Sequence, residues 1–168
     1  FCTWGSDMNV IVYNGSANGL NTTNALPLNQ WTHLACTWEA ATGTISIYFD
    51  GVLQTTGAGG SSSLSTDGTF AIGGKNNGSQ LFQGELDEFR IWDVARTECQ
   101  IQSAMVSDFT SLPTNCVAYY NCNQGTAGGN NAGITTITDM STNYDGTLNG
   151  FSLSGATSNW LASGATIT

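Results

Sequence analysis

Charge is the scarcest property of this chain: only 9% of its 168 residues are Asp, Glu, Lys or Arg, against about 25% in ordinary soluble proteins. Basic residues are rarer still. Lys75, Arg90 and Arg96 are the whole set, against 12 acidic residues, for a formal net charge of -9. Three cations cannot build the basic stripe that neutralises a phosphate backbone, which excludes nucleic acid as a partner and an anionic membrane surface with it. Long apolar runs are missing too, and none approaches the roughly 20 residues that span a bilayer, so no membrane insertion is expected. The first residues lack the basic start and small-residue cleavage site of a signal peptide, and a chain that opens on Phe1 reads as processed or as a piece of a longer protein. The single histidine, His33, stands between Thr32 and Leu34 in a strand-like run. Ser-His-Asp chemistry would also need a positioned serine, and nothing in the sequence singles one out.

CxxC pairs are absent as well, so the five cysteines at positions 2, 36, 99, 116 and 122 do not read as a zinc site. The surface that replaces charge is neutral and polar, built from Gly, Ser, Thr and Asn, as in secreted proteins and lectins. The cysteines are therefore expected to form extracytoplasmic disulfides with one left over. Cys116 and Cys122 would lie about 20 Å apart on one side of an extended strand, too far to pair. Cys99 with Cys116, and Cys36 with either Cys2 or Cys122, are the expected bridges. The leftover thiol could pair outside the chain. Asn14, Asn21 and Asn77 open glycosylation-type triplets.

What the chain does have is strand signal. Met8 to Tyr13 is β-branched and aromatic and ends at Asn14-Gly15, a hairpin-type turn, and Gly19 to Leu28 reads as a turn or short strand. Trp31 to Glu39, Thr44 to Phe49 and Val52 to Thr55 alternate apolar with polar residues around Ala40–Gly43 and Asp50-Gly51, which predicts a three-stranded antiparallel meander. A short strand is expected at Thr69 to Gly73 and a long one at Leu81 to Trp92. Thr97 is placed to cap a helix over Glu98 to Val106, with Ile101 and Met105 inward. Strands are expected again at Val117 to Cys122, Ile134 to Thr138, Gly146 to Leu148 and Phe151 to Leu153. About a dozen short strands with one brief helix make an all-β antiparallel sandwich or barrel. The length suits one domain, 1-168, with a main body over 1-111 and closing strands, or the start of a following module, over 112-168.

Four segments in this order resemble a laminin G-like or pentraxin-like domain: Gln30-Trp31-Thr32-His33-Leu34-Ala35-Cys36-Thr37-Trp38-Glu39, Ile47-Tyr48-Phe49-Asp50-Gly51, Phe70-Ala71-Ile72-Gly73-Gly74, and Phe82-Gln83-Gly84-Glu85-Leu86-Asp87-Glu88-Phe89-Arg90-Ile91-Trp92. The resemblance covers about residues 1 to 108. It implies a concanavalin A-like jelly-roll sandwich of two antiparallel sheets, whose concave face is usually used for sugars, proteins or calcium-bridged ligands. It also implies strands preceding Phe1. Residues 117 to 160 would fill that gap, or it would be filled from elsewhere in a longer chain or from a neighbouring subunit.

The densest charge lies in and after Gly84 to Asp93: two of the three cations and five of the 12 carboxylates fall between Gly84 and Glu98. On an extended strand Leu86, Glu88 and Arg90 share one face, and Glu85, Asp87 and Phe89 the other. Glycosidases on this sandwich resemble Glu-x-Asp-x-x-Glu, because a retaining mechanism needs two carboxyls about 5 Å apart. Glu85 and Asp87 match, but the third position is Arg90, so no catalytic residue is assigned. The expectation is a non-enzyme in which Asp87 and Glu88 pair with Arg90 or cap backbone groups, with a degenerate glucanase as the alternative. Pentraxin-type calcium sites resemble Asp-Asn in a first loop and an acidic second loop. Here the loops read Asp7-Met8-Asn9 and Lys75-Asn76-Asn77, and the lysine argues against that site.

Another oxygen cluster, from Asp139 to Gly146, spaces Asp139, Asn143 and Asp145 as hard ligands for calcium. Such residues also cap their own turns. Trp4, Tyr13, Asn76, Asn77 and Gln80 are the candidate ligand-binding residues, since aromatic faces and amides suit the two sides of a saccharide. The functional expectation is a secreted or cell-surface, non-catalytic binding or adhesion module for a glycan or surface protein, inside a larger protein. The structural alternative is a subunit or repeat that completes its sheet from a neighbouring chain.

Overall fold

The computed structural model describes residues 2–4, 7–13, 17–60, 69–74, 77–154 and 159–165. They form two compact units. The first comprises Phe1–Gly84 and Val94–Ser107, and the second Glu85–Asp93 and Asp108–Thr166. The chain thus leaves the first unit at Gly84 and returns to it for the helix.

In the first unit, β1 (Cys2–Trp4), β2 (Asp7–Tyr13) and β3 (Ala17–Ala25) make one antiparallel sheet in sequence order. The expected turn or short strand at Gly19 is in fact part of nine-residue β3. A second antiparallel sheet holds β4 (Leu34–Glu39), β5 (Thr44–Phe49) and β6 (Val52–Ala58), the predicted meander. Alternation explains its inner face. Ile45, Ile47 and Phe49 are buried, and Cys36 and Trp38 lie directly across from Ile47 and Ile45. Val10, Leu20 and Leu26 pack on the same cluster from the first sheet and its exit, which makes the unit a sheet-on-sheet sandwich.

The β5–β6 hairpin turns on Asp50 (φ 48) and Gly51 (φ 73), the two-residue geometry that matches strand twist. Asp50 Oδ1 accepts from the His33 amide at 2.8 Å, and the Asp50 amide donates to His33 O at 2.9 Å. His33 thereby serves strand alignment. Gly51 is required twice over, because a Cβ there would stand 2.6 Å from Gln102 Cγ as well as on a left-handed φ.

The helix that supplies Gln102, α1 (Glu98–Met105), starts as predicted. The Thr97 hydroxyl accepts from the Gln100 amide, and the Gln100 side chain accepts from the Thr97 amide. Ile101 is its buried residue, and Gln102 Nε2 donates to Gly51 O at 3.1 Å. Thr97→Ala removes one half of this reciprocal cap and is expected to lower stability by about 1 kcal/mol, read as a lower urea midpoint at unchanged slope.

Two sequence expectations are corrected between these elements. Residues 69–74 and 77–88 carry no strand, so neither Thr69 to Gly73 nor the first two thirds of Leu81 to Trp92 joins a sheet. Only β7 (Phe89–Trp92) remains of the long strand. Glu88 shows why: its φ of 55 is left-handed and ends the alternation at the residue before β7.

In the second unit, β7 pairs antiparallel with β8 (Cys116–Tyr120), and the two-residue strands β9 (Thr136–Ile137) and β10 (Gly146–Thr147) pair with each other. Phe151 to Leu153 is not a strand. Tyr119 is fully buried, and Phe109 stands edge-on to both Tyr119 and Trp92, at centroid distances of 5.8 and 6.3 Å. Trp160 is buried against the backbone at Gly125, where a Cβ would meet its ring at 2.3 Å. Buried Asn131 ties the loop between Thr126 and Gly129, its Oδ1 accepting from the Thr126 amide and its Nδ2 donating to Thr126 O.

Candidate functional site

The acidic run before β7 is built inward rather than toward a substrate. Glu88 Oε2 accepts from Arg90 Nη2 and, at 2.6 Å, from the Tyr119 hydroxyl. The Arg90 guanidinium lies 4.5 Å from the Phe109 ring centre and 5.0 Å from that of Tyr119, so the cation rests against two neighbouring aromatic rings and one carboxylate. Burial, and then the bond to Glu88, push the Tyr119 hydroxyl well above its ordinary range, so it stays a donor. Asp87 turns both oxygens to the protein: Oδ1 accepts from the Glu88 amide at 2.9 Å and Oδ2 from the Ser163 hydroxyl at 2.9 Å. Glu85 is exposed. The expectation that Asp87 and Glu88 pair with Arg90 or cap backbone groups describes this arrangement. Tyr119, Phe109 and Ser163 went unassigned because they lie 20 or more positions away and share no motif with the run.

The Asp139 to Asp145 segment is a hydrogen-bonded turn. Asp139 is 1% exposed; its Oδ1 accepts from the Tyr119 amide at 2.8 Å and its Oδ2 from the Ser141 hydroxyl. Asp145 Oδ1 accepts from the Asp139 amide at 2.8 Å, and the Tyr120 hydroxyl donates to Tyr144 O at 2.6 Å. Burial alone would raise the Asp139 carboxyl, but the Ser141 hydroxyl and the amides of Tyr119, Ser141 and Tyr144 outweigh it and hold the group below its ordinary 3.8. Asn143 is exposed, its amide donating to Ser141 Oγ at 3.3 Å. Among the described residues no group of three or more His, Cys, Asp or Glu is placed to hold a metal ion. Within the turn, Asp139 is satisfied by protein donors.

The candidate ligand-binding residues are spread over two places. Trp4 ends β1 opposite Asp7, and Tyr13 ends β2 opposite Ala17. They therefore stand at opposite ends of one sheet, about 20 Å apart along the strand. Their side chains, and all of Asn76, lie outside the described residues. Asn77 and Gln80 sit on one exposed loop, closed by the Phe82 amide donating to Gly73 O at 2.8 Å. Gln80 takes a left-handed φ of 53. Asn77 Oδ1 accepts from the Ser79 amide and hydroxyl, at 3.1 and 2.6 Å.

The expected disulfides are also corrected. Cys36, Cys99, Cys116 and Cys122 are not joined in disulfides, so neither Cys99–Cys116 nor a bridge from Cys36 is present. Three of them are turned onto nearby carbonyls of their own chain segments: Cys36 to Thr37 O, Cys116 to Ala118 O and Cys122 to Tyr120 O. Burial pushes the Cys36 thiol up to about 11. Burial, followed by the charges of Asp87 and Glu88, does the same for Cys122, also to about 11, which keeps both protonated and unreactive at neutral pH.

A family model described as the concanavalin A-like lectin/glucanases superfamily matches residues 4–102. The mouse pentraxin-related protein PTX3 is 30% identical over 106 residues, covering 56% of this chain and 28% of its own. A solved structure of a candidate carbohydrate-binding protein from Bacteroides ovatus superimposes with a TM-score of 0.65 at 28% identity, over 79% of this chain and 38% of that one. The chain thus spans well under half the length of either relative. No helix among the described residues is long and apolar enough to cross a membrane. The matched segment holds β2 to β6 of the sandwich and most of the capped helix, and on that basis the chain belongs to the concanavalin A-like lectin/glucanase superfamily as a laminin G-like domain.

Proposed function

We propose that this chain is a non-catalytic binding module for glycan, acting outside the cell as part of a larger secreted or cell-surface protein. The observation that carries the reading is the fate of the carboxylates in the glycosidase-like run. Asp87 and Glu88 are engaged by protein partners, which leaves exposed Glu85 without the second free carboxyl that a retaining mechanism needs. The likeness to a candidate carbohydrate-binding protein, at 28% identity, points the same way, and the neutral, amide-rich surface suits sugar hydroxyls. Titration against a glycan panel is expected to give saturable binding with no hydrolysis of any member. Turnover that disappears in Glu85→Gln would instead establish the glucanase alternative. Calcium is the second arm of the same titration, with Asp145→Asn as the variant that would lose any calcium dependence arising at the Asp139, Asn143 and Asp145 turn.

A second reading has its own observation. In the first unit Phe70, Ile72, Leu81 and Phe82 are 59, 36, 70 and 42% exposed on the two arms of one loop. Apolar side chains grouped in this way mark an interaction surface. They favour a structural subunit that completes its sheet from a neighbouring chain or module. Light scattering decides between the readings: a 17.6 kDa particle fits a self-contained binder, and an ordered assembly fits the structural role.

A further inference from the structure

We infer that Asn77 is a site of spontaneous deamidation whose conversion is promoted by Ser79. Asn77 is exposed and followed by Gly78, which sits at φ 75 with nothing within 4 Å of where a Cβ would be. Glycine carries no side chain of its own to crowd its nitrogen as that nitrogen approaches the asparagine amide carbon. The Gly78 nitrogen loses its proton to solvent and attacks Asn77 Cγ, and the oxyanion develops on Oδ1. Collapse expels Nδ2 as ammonia and leaves a cyclic imide. Water then adds to either carbonyl, opening the ring to aspartate or isoaspartate. Ammonia leaves and water enters, so no other reactant is needed.

The hydrogen bonds of Asn77 favour this step. Its Oδ1 accepts from the Ser79 amide at 3.1 Å and from the Ser79 hydroxyl at 2.6 Å, two donors aimed at the atom where negative charge appears. The molecule contains its own control in Asn149-Gly150. That asparagine is also exposed, and Gly150 has φ 73 with the same open space. There the amide is oriented the other way, with Nδ2 donating to Thr147 O at 3.2 Å. In both cases the main-chain partner, a donor N–H in one and an acceptor carbonyl in the other, dictates which end of the amide faces it. Conversion at Asn77 places a new carboxylate, and in the isoaspartate form an extra main-chain carbon, in the loop closed by Gly73 and Phe82. The inference is independent of the glycan-binding reading.

The test uses the full chain held folded in mildly alkaline buffer and sampled by peptide mass mapping with isoaspartate detection. Asn77 is expected to gain one mass unit several-fold faster than Asn149. The two rates are expected to converge in denaturant. Ser79→Ala should slow conversion at Asn77 several-fold and leave Asn149 unchanged. Equal rates in the folded chain, a difference that persists in denaturant, or faster conversion in Ser79→Ala would each overturn the inference. The comparison of Asn77 with Asn149 in the parent protein needs no variant to fold.

Discussion

Replacing Glu88 by alanine is expected to destabilise the second unit by about 3 kcal/mol, the lower end of what breaking a buried ion pair costs. The lower end applies because the two side chains differ in burial: Arg90 is 8% exposed and Glu88 24%, so some of the carboxylate's solvation survives in the folded chain. What remains after the substitution is a guanidinium against the Phe109 and Tyr119 rings with the Glu88 carboxylate gone, and a Tyr119 hydroxyl that has lost this acceptor. Two further variants separate these effects. Tyr119→Phe removes one hydroxyl donor and should cost about 1 kcal/mol. Glu88→Leu combined with Arg90→Met replaces the pair by apolar volume and should lose less than Glu88→Ala alone. Urea unfolding followed by near-ultraviolet circular dichroism reads the aromatic cluster directly. A double variant as unstable as Glu88→Ala would mean that the volume around residue 88, rather than the lost charge pairing, sets the loss.

Asp139→Ala is expected to cost about as much, roughly 3 kcal/mol, because it strips an acceptor from the buried Tyr119 amide and from the Ser141 hydroxyl together, each loss lying within about 1–3 kcal/mol. The Tyr119 amide lies in β8, so its loss reaches the strand that pairs with β7. Asp139 also predicts the direction of a pH dependence. Its carboxyl is held below 3.8 when folded, so the folded chain binds fewer protons there than the unfolded chain. The resulting stabilisation is complete above the unfolded value of 3.8 and is lost as the pH falls through the lower folded value. Asp139→Asn keeps an acceptor for the Tyr119 amide but cannot titrate. It should therefore be less stable than the parent at neutral pH and lose less on acidification. Parallel acid-unfolding curves for the two proteins would rule out Asp139 as the titrating group.

The helix and the central meander were legible because their signals are local. Thr97 and Gln100 satisfy the first turn of α1 within four residues, and the alternation of Thr44 to Phe49 needs only one partner face to become a half-buried strand. The error at Leu81 to Trp92 has an equally local cause. Apolar and β-forming residues raise strand preference along the whole run, but a strand also requires paired backbone and continuous extended φ, and Glu88 at φ 55 breaks that continuity. Disulfide expectations failed for a different reason. Composition speaks of the environment a chain inhabits, whereas a bridge depends on two Cβ positions that sequence spacing does not encode.

The candidate site divides along the same line. By itself the sequence determined the superfamily, the β-rich architecture, the capped helix and the concentration of charge around residues 84 to 98, all of which follow from short-range pattern or from residue counts. Only the tertiary structure decided what that charge does. It set Arg90 against the neighbouring rings of Tyr119 and Phe109, gave Glu88 two donors, turned Asp87 toward Ser163, and placed the Tyr119 amide on Asp139. Each of these pairings joins residues whose separation along the chain carries no periodic signal. A carboxylate's role depends on the donors within about 3 Å of it, and it is the folded chain that chooses them.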